Sequence, residues 1–288
     1  MTLTLTQPRS ADEYLHAAGD FLARREAEHN LIFGICSAIR LSPDAFGEQS
    51  PRYLTVADAA GSIVAAALQT PPNNLVVSHV EDLAAIDLLV DALVDDRPPG
   101  VLAPKGVIEP FLSAWAARTG ETAHLEVAER AFQLERVIPP KRPATGSWRV
   151  ARPDDRDLLA DWVVAFSTEA MPEQPPIEHP FEVADRWIAR INRLVYLWED
   201  GGHVVSLVGA GGETPSGIRI GPVYTPPEAR GNGYATSLTA AASVDQLENH
   251  GRRFCFLFTD LANPTSNAIY RSIGYEEVCD MDQYRFDR

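Results

Sequence analysis

The sequence predicts a two-domain α/β protein in which each domain is a mixed, mostly antiparallel sheet flanked by helices. Short apolar runs bounded by turn residues alternate with longer segments whose apolar residues recur at helical spacing. Both halves of the chain show the same order of these segments, which suggests an internal duplication. A short proline-rich stretch, residues 139–147, separates the halves, and 288 residues is a length typical of two domains.

Composition and charge restrict the classes of partner. The chain has 40 acidic and 25 basic residues, a formal net charge of -15, so nonspecific binding to nucleic acid or to an anionic membrane is not expected. The cysteines form no CxxC motif or Cys/His pair, so we predict no metal site and interpret them as core residues in a reducing compartment. No basic and apolar leader or long apolar run is present, and the expected location is the cytoplasm.

In the first half, apolar spacing predicts two helices over residues 12–40, divided near His29. Short apolar runs separated by turn residues predict the next strands. These strands cover residues 53–58, 62–69 and 75–78. The remaining predictions are a helix over 81–95, a short strand over 100–104, a helix over 107–118 and an extended segment over 122–137.

In the second half, a strand at residues 148–151 precedes a helix that starts near Pro153, where aspartates in the first turn complement the helix dipole. A proline-rich loop over 171–180 and a helix over 181–191 follow. Strands are predicted over 194–198, 203–210, 217–225, 254–258 and 275–286. Helices are predicted from the glycine loop described next to about residue 249, and over 264–272.

Residues 217–242 carry the clearest functional signal. An apolar run leads to a double proline, then to Arg230-Gly231-Asn232-Gly233-Tyr234-Ala235, and then to an alanine-rich segment without helix breakers. This order predicts strand, turn, glycine loop and helix. The two glycines allow successive backbone N–H groups to point into one concavity, where the helix N-terminus adds partial positive charge. Such a place binds phosphate oxygens.

Two common phosphate loops fit this segment poorly. A Walker A loop requires a lysine directly after its second conserved glycine, and no such lysine occurs here. A dinucleotide-binding fingerprint requires a third glycine near Thr236 and a βαβ setting, whereas this loop follows an antiparallel-looking meander.

A third pattern fits at every specified position. Residues 230–235 match the motif Arg/Gln-x-x-Gly-x-Gly/Ala, and Asn263, Tyr270 and Gly274 follow it in order. The segment 148–288 thereby resembles the GNAT superfamily of acetyl-CoA-dependent N-acetyltransferases. The whole chain resembles tandem GNAT proteins, and this resemblance implies a degenerate GNAT-like domain at 1–138, a linker at 139–147 and a catalytic domain at 148–288.

The first half lacks the glycine loop. The corresponding segment, residues 79–85, has no glycine pair, and it carries Glu81 and Asp82 where a phosphate would be repelled. We therefore expect one acetyl-CoA per chain.

The resemblance implies a set of cofactor-binding residues. The backbone of Val223, Tyr224 and Thr225 would pair with the amide groups of pantetheine, much as an added strand would. Backbone N–H groups of the loop and the first helical turn would hold the pyrophosphate. These residues are Arg230, Gly231, Asn232, Gly233, Tyr234, Ala235 and Thr236.

Two side chains in this set have alternative roles. The Arg230 side chain either contacts a phosphate or braces the loop. Asn263 either contacts the pantetheine arm or caps the helix that follows it.

Tyr270 is the predicted catalytic acid. When an amine attacks a thioester, a thiolate leaves, and a phenol near the sulfur can protonate it. The same position would contact the cofactor. Glu169, after the first helix of the second half, is the predicted general base, with Glu228 or a water relay as alternatives.

The predicted function is direct transfer of an acetyl group from acetyl-CoA to a primary amine in a ternary complex, without a metal or a covalent enzyme intermediate. The expected acceptor is a small-molecule amine, with a protein amine as an alternative. A noncatalytic acyl-CoA-binding or regulatory protein is the competing hypothesis.

Overall fold

A computed structural model describes residues 2–47, 49–170 and 176–287. The chain divides into two compact units that are discontinuous in sequence. The first comprises Met1–Phe132, Phe258–Asn267 and Glu277–Arg288, and the second comprises Gln133–Leu257 and Ala268–Glu276. The contacts therefore divide the chain slightly before the predicted linker at 139–147, and they assign the C-terminal strand to the first unit.

The first half contains the predicted elements and one additional strand. Its helices are α1 (Ala11–Ala23), α2 (Asn30–Leu41), α3 (Ala84–Leu93) and α4 (Lys105–Thr119). Its strands are β1 (Thr4–Thr6), β2 (Arg52–Ala57), β3 (Ile63–Gln69), β4 (Leu75–Val77), β5 (Gly100–Pro104) and β6 (Thr122–Leu134). The additional strand is β1, which is too short and too rich in threonine to give a local apolar signal.

The second half repeats this order of elements. Its strands are β7 (Ser147–Val150), β8 (Arg193–Asp200), β9 (His203–Glu213), β10 (Gly217–Tyr224), β11 (Phe254–Asp260) and β12 (Glu276–Asp287). Its helices are α5 (Arg156–Ala170), α6 (Pro180–Ile188), α7 (Tyr234–Glu248) and α8 (Pro264–Ser272). Of the predicted proline-rich loop at 171–180, residues 171–175 lie outside the described residues.

Each unit has a mixed sheet. In the first unit the strand order is β1-β2-β3-β4-β5-β12-β6, with β4 and β5 parallel and β12 antiparallel to β5. In the second unit the order is β11-β10-β9-β8-β7, with β10 and β11 parallel and the other pairs antiparallel. This confirms the predicted fold class, an α/β protein with a mostly antiparallel mixed sheet flanked by helices.

Strand alternation builds a core on each face of the first unit's sheet. On β2, Tyr53 packs with α1 and α2, whereas Leu54 and Val56 pack with α3 and α4. On the second face the Trp115 ring stacks on Phe286 of β12, with ring centroids 4.5 Å apart. The C-terminal strand is therefore part of the first unit's core.

In the second unit, α5 and α6 cover one face of the sheet, which we call the α5/α6 face. Its buried residues include Val195, Leu197, Leu207 and Tyr224. The alternate residues of β8 point to the other face, where the hydroxyl of Tyr196 donates a 2.6 Å hydrogen bond to Asp245 of α7.

Within the described parts of the chain, no helix has both the length and the apolar character needed to cross a membrane.

Candidate acyl-CoA site

The predicted phosphate loop lies between β10 and α7. A single 3-10 turn, Pro227–Ala229, follows β10, and α7 begins at Tyr234 with Gly233 as its N-cap residue. Gly231 has φ +82° and Gly233 has φ +79°, a region that L residues rarely adopt. A Cβ at Gly231 would meet nothing within 4 Å, and one at Gly233 would meet only the Arg142 carbonyl at 3.8 Å. The surface over both glycines is therefore open.

Backbone donors face this open surface. The first helical hydrogen bond of α7 runs from the N–H of Ser237 to the carbonyl of Gly233, at 3.0 Å. The preceding N–H groups, of Tyr234, Ala235 and Thr236, therefore have no acceptor within the helix. The site would suit a pyrophosphate group, because it combines these N–H groups, the positive end of the helix and the open space over the two glycines.

Beside the loop, β10 separates from β11. The parallel pairing covers only the first three residues of β10, and its last pair joins Arg219 to Phe256. On the opposite side, β10 stays paired with β9 as far as Tyr224, through a bulge between Ile220 and Val223. The edge of β10 that leads to Thr225 is thus available for an extended ligand, as the pantetheine assignment of residues 223–225 requires.

The Arg230 side chain braces the loop in this structure. Its Nε donates to the Thr225 carbonyl at 2.9 Å, and its Nη2 lies 2.5 Å from Glu169 Oε2. The Tyr224 hydroxyl donates to Glu169 Oε1 at 3.4 Å. Burial, followed by the charge of this carboxylate, raises the pKa of Tyr224. The predicted general base, Glu169, therefore forms an ion pair with Arg230, whose side chain is a candidate phosphate ligand.

The predicted linker packs against the start of α7. The hydroxyls of Tyr234 and Thr145 each donate to Asp200 Oδ2 at 2.6 Å, and these bonds hold the pKa of Asp200 below its usual value. The N–H of Ala144 donates to Ser237 Oγ at 2.9 Å. Sequence reasoning found Tyr234 but missed Asp200 and Thr145, because an acid in a turn and a threonine in a connector give no local signal.

Asn263 caps α8. Its Oδ1 accepts the N–H of Ser266 at 3.0 Å, and its carbonyl accepts the side-chain amide of Asn267 at 2.7 Å. Of the two roles that the sequence leaves open for Asn263, the structure shows the helix cap.

Tyr270 lies on α8 and is almost fully buried, with 7% exposure. Its ring packs edge-on against Tyr275, with centroids 5.9 Å apart, and the Tyr275 hydroxyl lies 2.9 Å from Ser243 Oγ. Burial raises the pKa of Tyr270 to about 12. The phenol therefore keeps its proton at neutral pH, as a hydrogen-bond donor or general acid must.

The separating parallel pair and the glycine loop at the start of α7 together form a candidate site for an extended ligand that carries a pyrophosphate. Residues 158–275 match the profile of the acetyltransferase (GNAT) family. The chain thus contains a GNAT-family domain, and the family implies acyl-CoA-dependent acetyl transfer. No curated protein matches the chain.

Solved structures resemble the chain over nearly its whole length. A Drosophila protein aligns with a TM-score of 0.67 at 14% identity, covering 98% of each chain. A GCN5-related N-acetyltransferase from Sphaerobacter thermophilus aligns at 0.61 and 19% identity, covering 98% of this chain and 95% of its own. A tandem GNAT protein from the clavulanic acid biosynthesis pathway aligns at 0.58 and 14% identity, covering 99% and 98%. At these identities the likeness shows the shared fold.

Proposed function

We propose that the segment 148–288 is an N-acetyltransferase that transfers the acetyl group of acetyl-CoA to a primary amine by direct attack in a ternary complex. The observation that carries the proposal is the continuity of β10, the glycine loop and α7. One strand supplies a free edge for an extended arm, and the loop that follows it supplies donors for phosphates.

The residues of this segment have distinct roles in the proposed reaction. Backbone N–H groups of residues 231–236 bind the pyrophosphate, and the edge of β10 near Val223 to Thr225 orients the arm. The C–N bond forms as the C–S bond breaks. Tyr270 gives its proton to the departing sulfur, and the proton released by the amine passes to water.

The ion pair with Arg230 supports a positioning role for Glu169. Both oxygens of the Glu169 carboxylate have partners in this structure, Arg230 Nη2 at 2.5 Å and the Tyr224 hydroxyl at 3.4 Å, and these contacts hold the carboxylate at the end of β10. We assign Glu169 and Arg230 to holding the loop against the end of β10, and we assign the base role to water.

The first half of the chain has the same order of elements without the glycine loop, which supports a tandem arrangement with a degenerate N-terminal half and one cofactor site per chain. A small-molecule amine is the proposed acceptor, and the reducing cytoplasm is the proposed location.

The test is an amine panel in which release of free CoA is followed, with acetyl-CoA affinity measured separately by calorimetry. The proposal expects turnover with at least one primary amine. Tight binding of acetyl-CoA without turnover on any amine would support the noncatalytic acyl-CoA-binding protein instead.

A further inference from the structure

Two arginines lie in register on the α5/α6 face of the second unit's sheet. Arg193 of β8 and Arg219 of β10 both pair with Gly211 of β9. Residues at one level of neighbouring strands point to the same face. Two residues further along β8, Val195 lies in the core beneath α5 and α6, so Arg193 and Arg219 also point to this face.

Glycines on β9 make room for the Arg193 side chain. A Cβ added at Gly209 would lie 2.9 Å from Arg193 Cδ and 3.1 Å from Pro222 Cδ. The stem of Arg193 therefore crosses β9 directly beside the bulge of β10, where Pro222 lies. A larger residue at position 209 would collide with this side chain and with the Gly221 carbonyl oxygen, which lies 2.7 Å from an added Cβ.

Arg193 lacks an acidic partner in the described part of the chain. It is partly buried, and its guanidinium lies over the ring of Trp187, 5.7 Å from the centroid. Arg149 of the same unit is also partly buried, but it pairs with both Asp155 and Glu199 at 2.6 Å. A partly desolvated cation without a counterion costs free energy, and an anionic ligand would offset that cost.

Burial, and then the charge of Arg219, lower the pKa of Arg193 to about 9. The guanidinium is therefore still a cation at neutral pH.

We propose that Arg193, with Arg219 beside it, forms an anion-binding subsite that selects amine acceptors carrying a carboxylate or a phosphate. This inference rests on the proposed acetyl transfer, because the strand that would hold the pantetheine arm also forms the bulge beside Arg193. The anionic group binds the guanidinium, and the amine of the same molecule reaches the opening between β10 and β11. The Arg193 guanidinium also supplies a local positive charge for such a substrate in a strongly acidic protein.

The experiment compares primary amines of matched length, 3-aminopropyl phosphate, 4-aminobutyrate and 3-amino-1-propanol, in wild-type protein and in Arg193→Gln. We expect kcat/KM to be at least about tenfold higher for one of the anionic amines than for the neutral one. Arg193→Gln should reduce this ratio to near one, and Arg193→Lys should retain part of it. Comparing 3-aminopropyl phosphate with 4-aminobutyrate shows which anionic group the subsite prefers.

Arg190→Gln is the matched control, because it removes the same charge from an exposed residue three positions earlier. It should leave the preference unchanged, and acetyl-CoA affinity should be the same in all variants. Equal or better turnover of the neutral amine in the wild type, or a preference that survives Arg193→Gln, would overturn the proposal.

Binding of the three amines to the CoA-loaded protein, measured by calorimetry, separates this inference from the proposed function. If no amine turns over, tighter binding of an anionic amine that Arg193→Gln removes still supports the subsite. Equal binding of all three amines, or no detectable binding, refutes it.

Discussion

The two halves of the chain differ most where the central strand meets the next helix. After β10, Gly231 and Gly233 leave an open surface and free N–H groups at the start of α7. After β4, the corresponding segment has no glycine pair, and side chains accept two of its backbone N–H groups. Asp82 Oδ1 accepts the N–H of Ala84 at 3.0 Å at the start of α3, so this N–H group already has an acceptor.

A cavity of about 330 Å³ lies beside this segment, and a buried histidine in its lining holds the backbone there. His29 Nε2 accepts the N–H of His79 at 2.9 Å, and its Nδ1 donates to the Leu22 carbonyl at 2.9 Å. In the second half the corresponding contact is the exposed ion pair of Arg230 and Glu169. One order of elements therefore yields either an open glycine loop or a segment whose backbone N–H groups are bound by side chains, depending on a few residues between strand and helix.

The largest expected effect comes from closing the open loop. Gly233→Glu places a charged side chain where the pyrophosphate would lie and should weaken acetyl-CoA binding by at least ~100-fold, as measured by calorimetry. Gly251→Glu is the matched control, because Gly251 also has a positive φ, +67°, and open space, but lies beyond the opposite end of α7. Equal loss of affinity in both variants would point to misfolding instead.

The second effect concerns the buried His29 imidazole, which binds the segment after β4 in the first half. Burial lowers the pKa of His29 to about 4 from 6.5. Since the unfolded chain binds the proton more tightly, the contribution of neutral His29 is complete above pH 6.5 and is lost as the pH falls towards 4. It amounts to about 3 kcal/mol of the free energy of unfolding.

Urea denaturation at several pH values tests this expectation. The wild type should lose about 3 kcal/mol more than His29→Gln between pH 7 and pH 4. His16→Gln, at an exposed residue of α1, should behave like the wild type. Parallel pH profiles for wild type and His29→Gln would contradict the assignment of a neutral, buried imidazole.

Tyr270→Phe tests whether the second half of the chain, which carries the glycine loop, also catalyses the acetyl transfer. The variant should lower kcat by about 100-fold while the Kd for acetyl-CoA changes little, because the lost hydroxyl acts on the leaving sulfur. Tyr275→Phe removes a neighbouring phenol that contacts Ser243, and it should retain most of the turnover. A full-rate Tyr270→Phe protein would exclude the acid role.

A smaller effect is expected at the start of α3. Asp82→Ala should lower the free energy of unfolding by about 1 kcal/mol, because the N–H of Ala84 loses its acceptor. Denaturation curves measure this change, with Asp95→Ala as an exposed control beyond the opposite end of α3. A second acetyl-CoA site in Asp82→Ala would show that this carboxylate alone prevents acetyl-CoA binding in the first half.

The smallest effect concerns the ion pair between Arg230 and Glu169. Glu169→Gln should raise the Kd for acetyl-CoA about threefold, since exposed ion pairs contribute little. Turnover at saturating acetyl-CoA should change less than that. A loss of kcat by two orders of magnitude, together with a shifted pH profile, would restore Glu169 as the general base. Glu182→Gln on α6 is the control.

Local pattern predicted most of the elements, because apolar periodicity and turn residues are properties of short segments. The glycine loop was visible for the same reason, since Gly231 and Gly233 are required by backbone conformation at their own positions. The position of β12 beside β5 was not visible, because a strand's neighbour depends on the register and topology of the whole sheet.

Local sequence pattern also could not predict the side-chain contacts within the site. Glu169 and Arg230 lie 61 positions apart, so their pairing appears only once α5 and β10 are packed together. Likewise, Arg193 and Arg219 become neighbours only through their common register with Gly211.

The most direct test of the difference between the halves is the number of acetyl-CoA molecules bound per chain. Calorimetric titration of the full chain should saturate at one molecule per chain, and Gly233→Glu should abolish that site. Two molecules per chain, or a single site that persists in Gly233→Glu, would contradict the assignment of the cofactor site to the glycine loop of the second half alone.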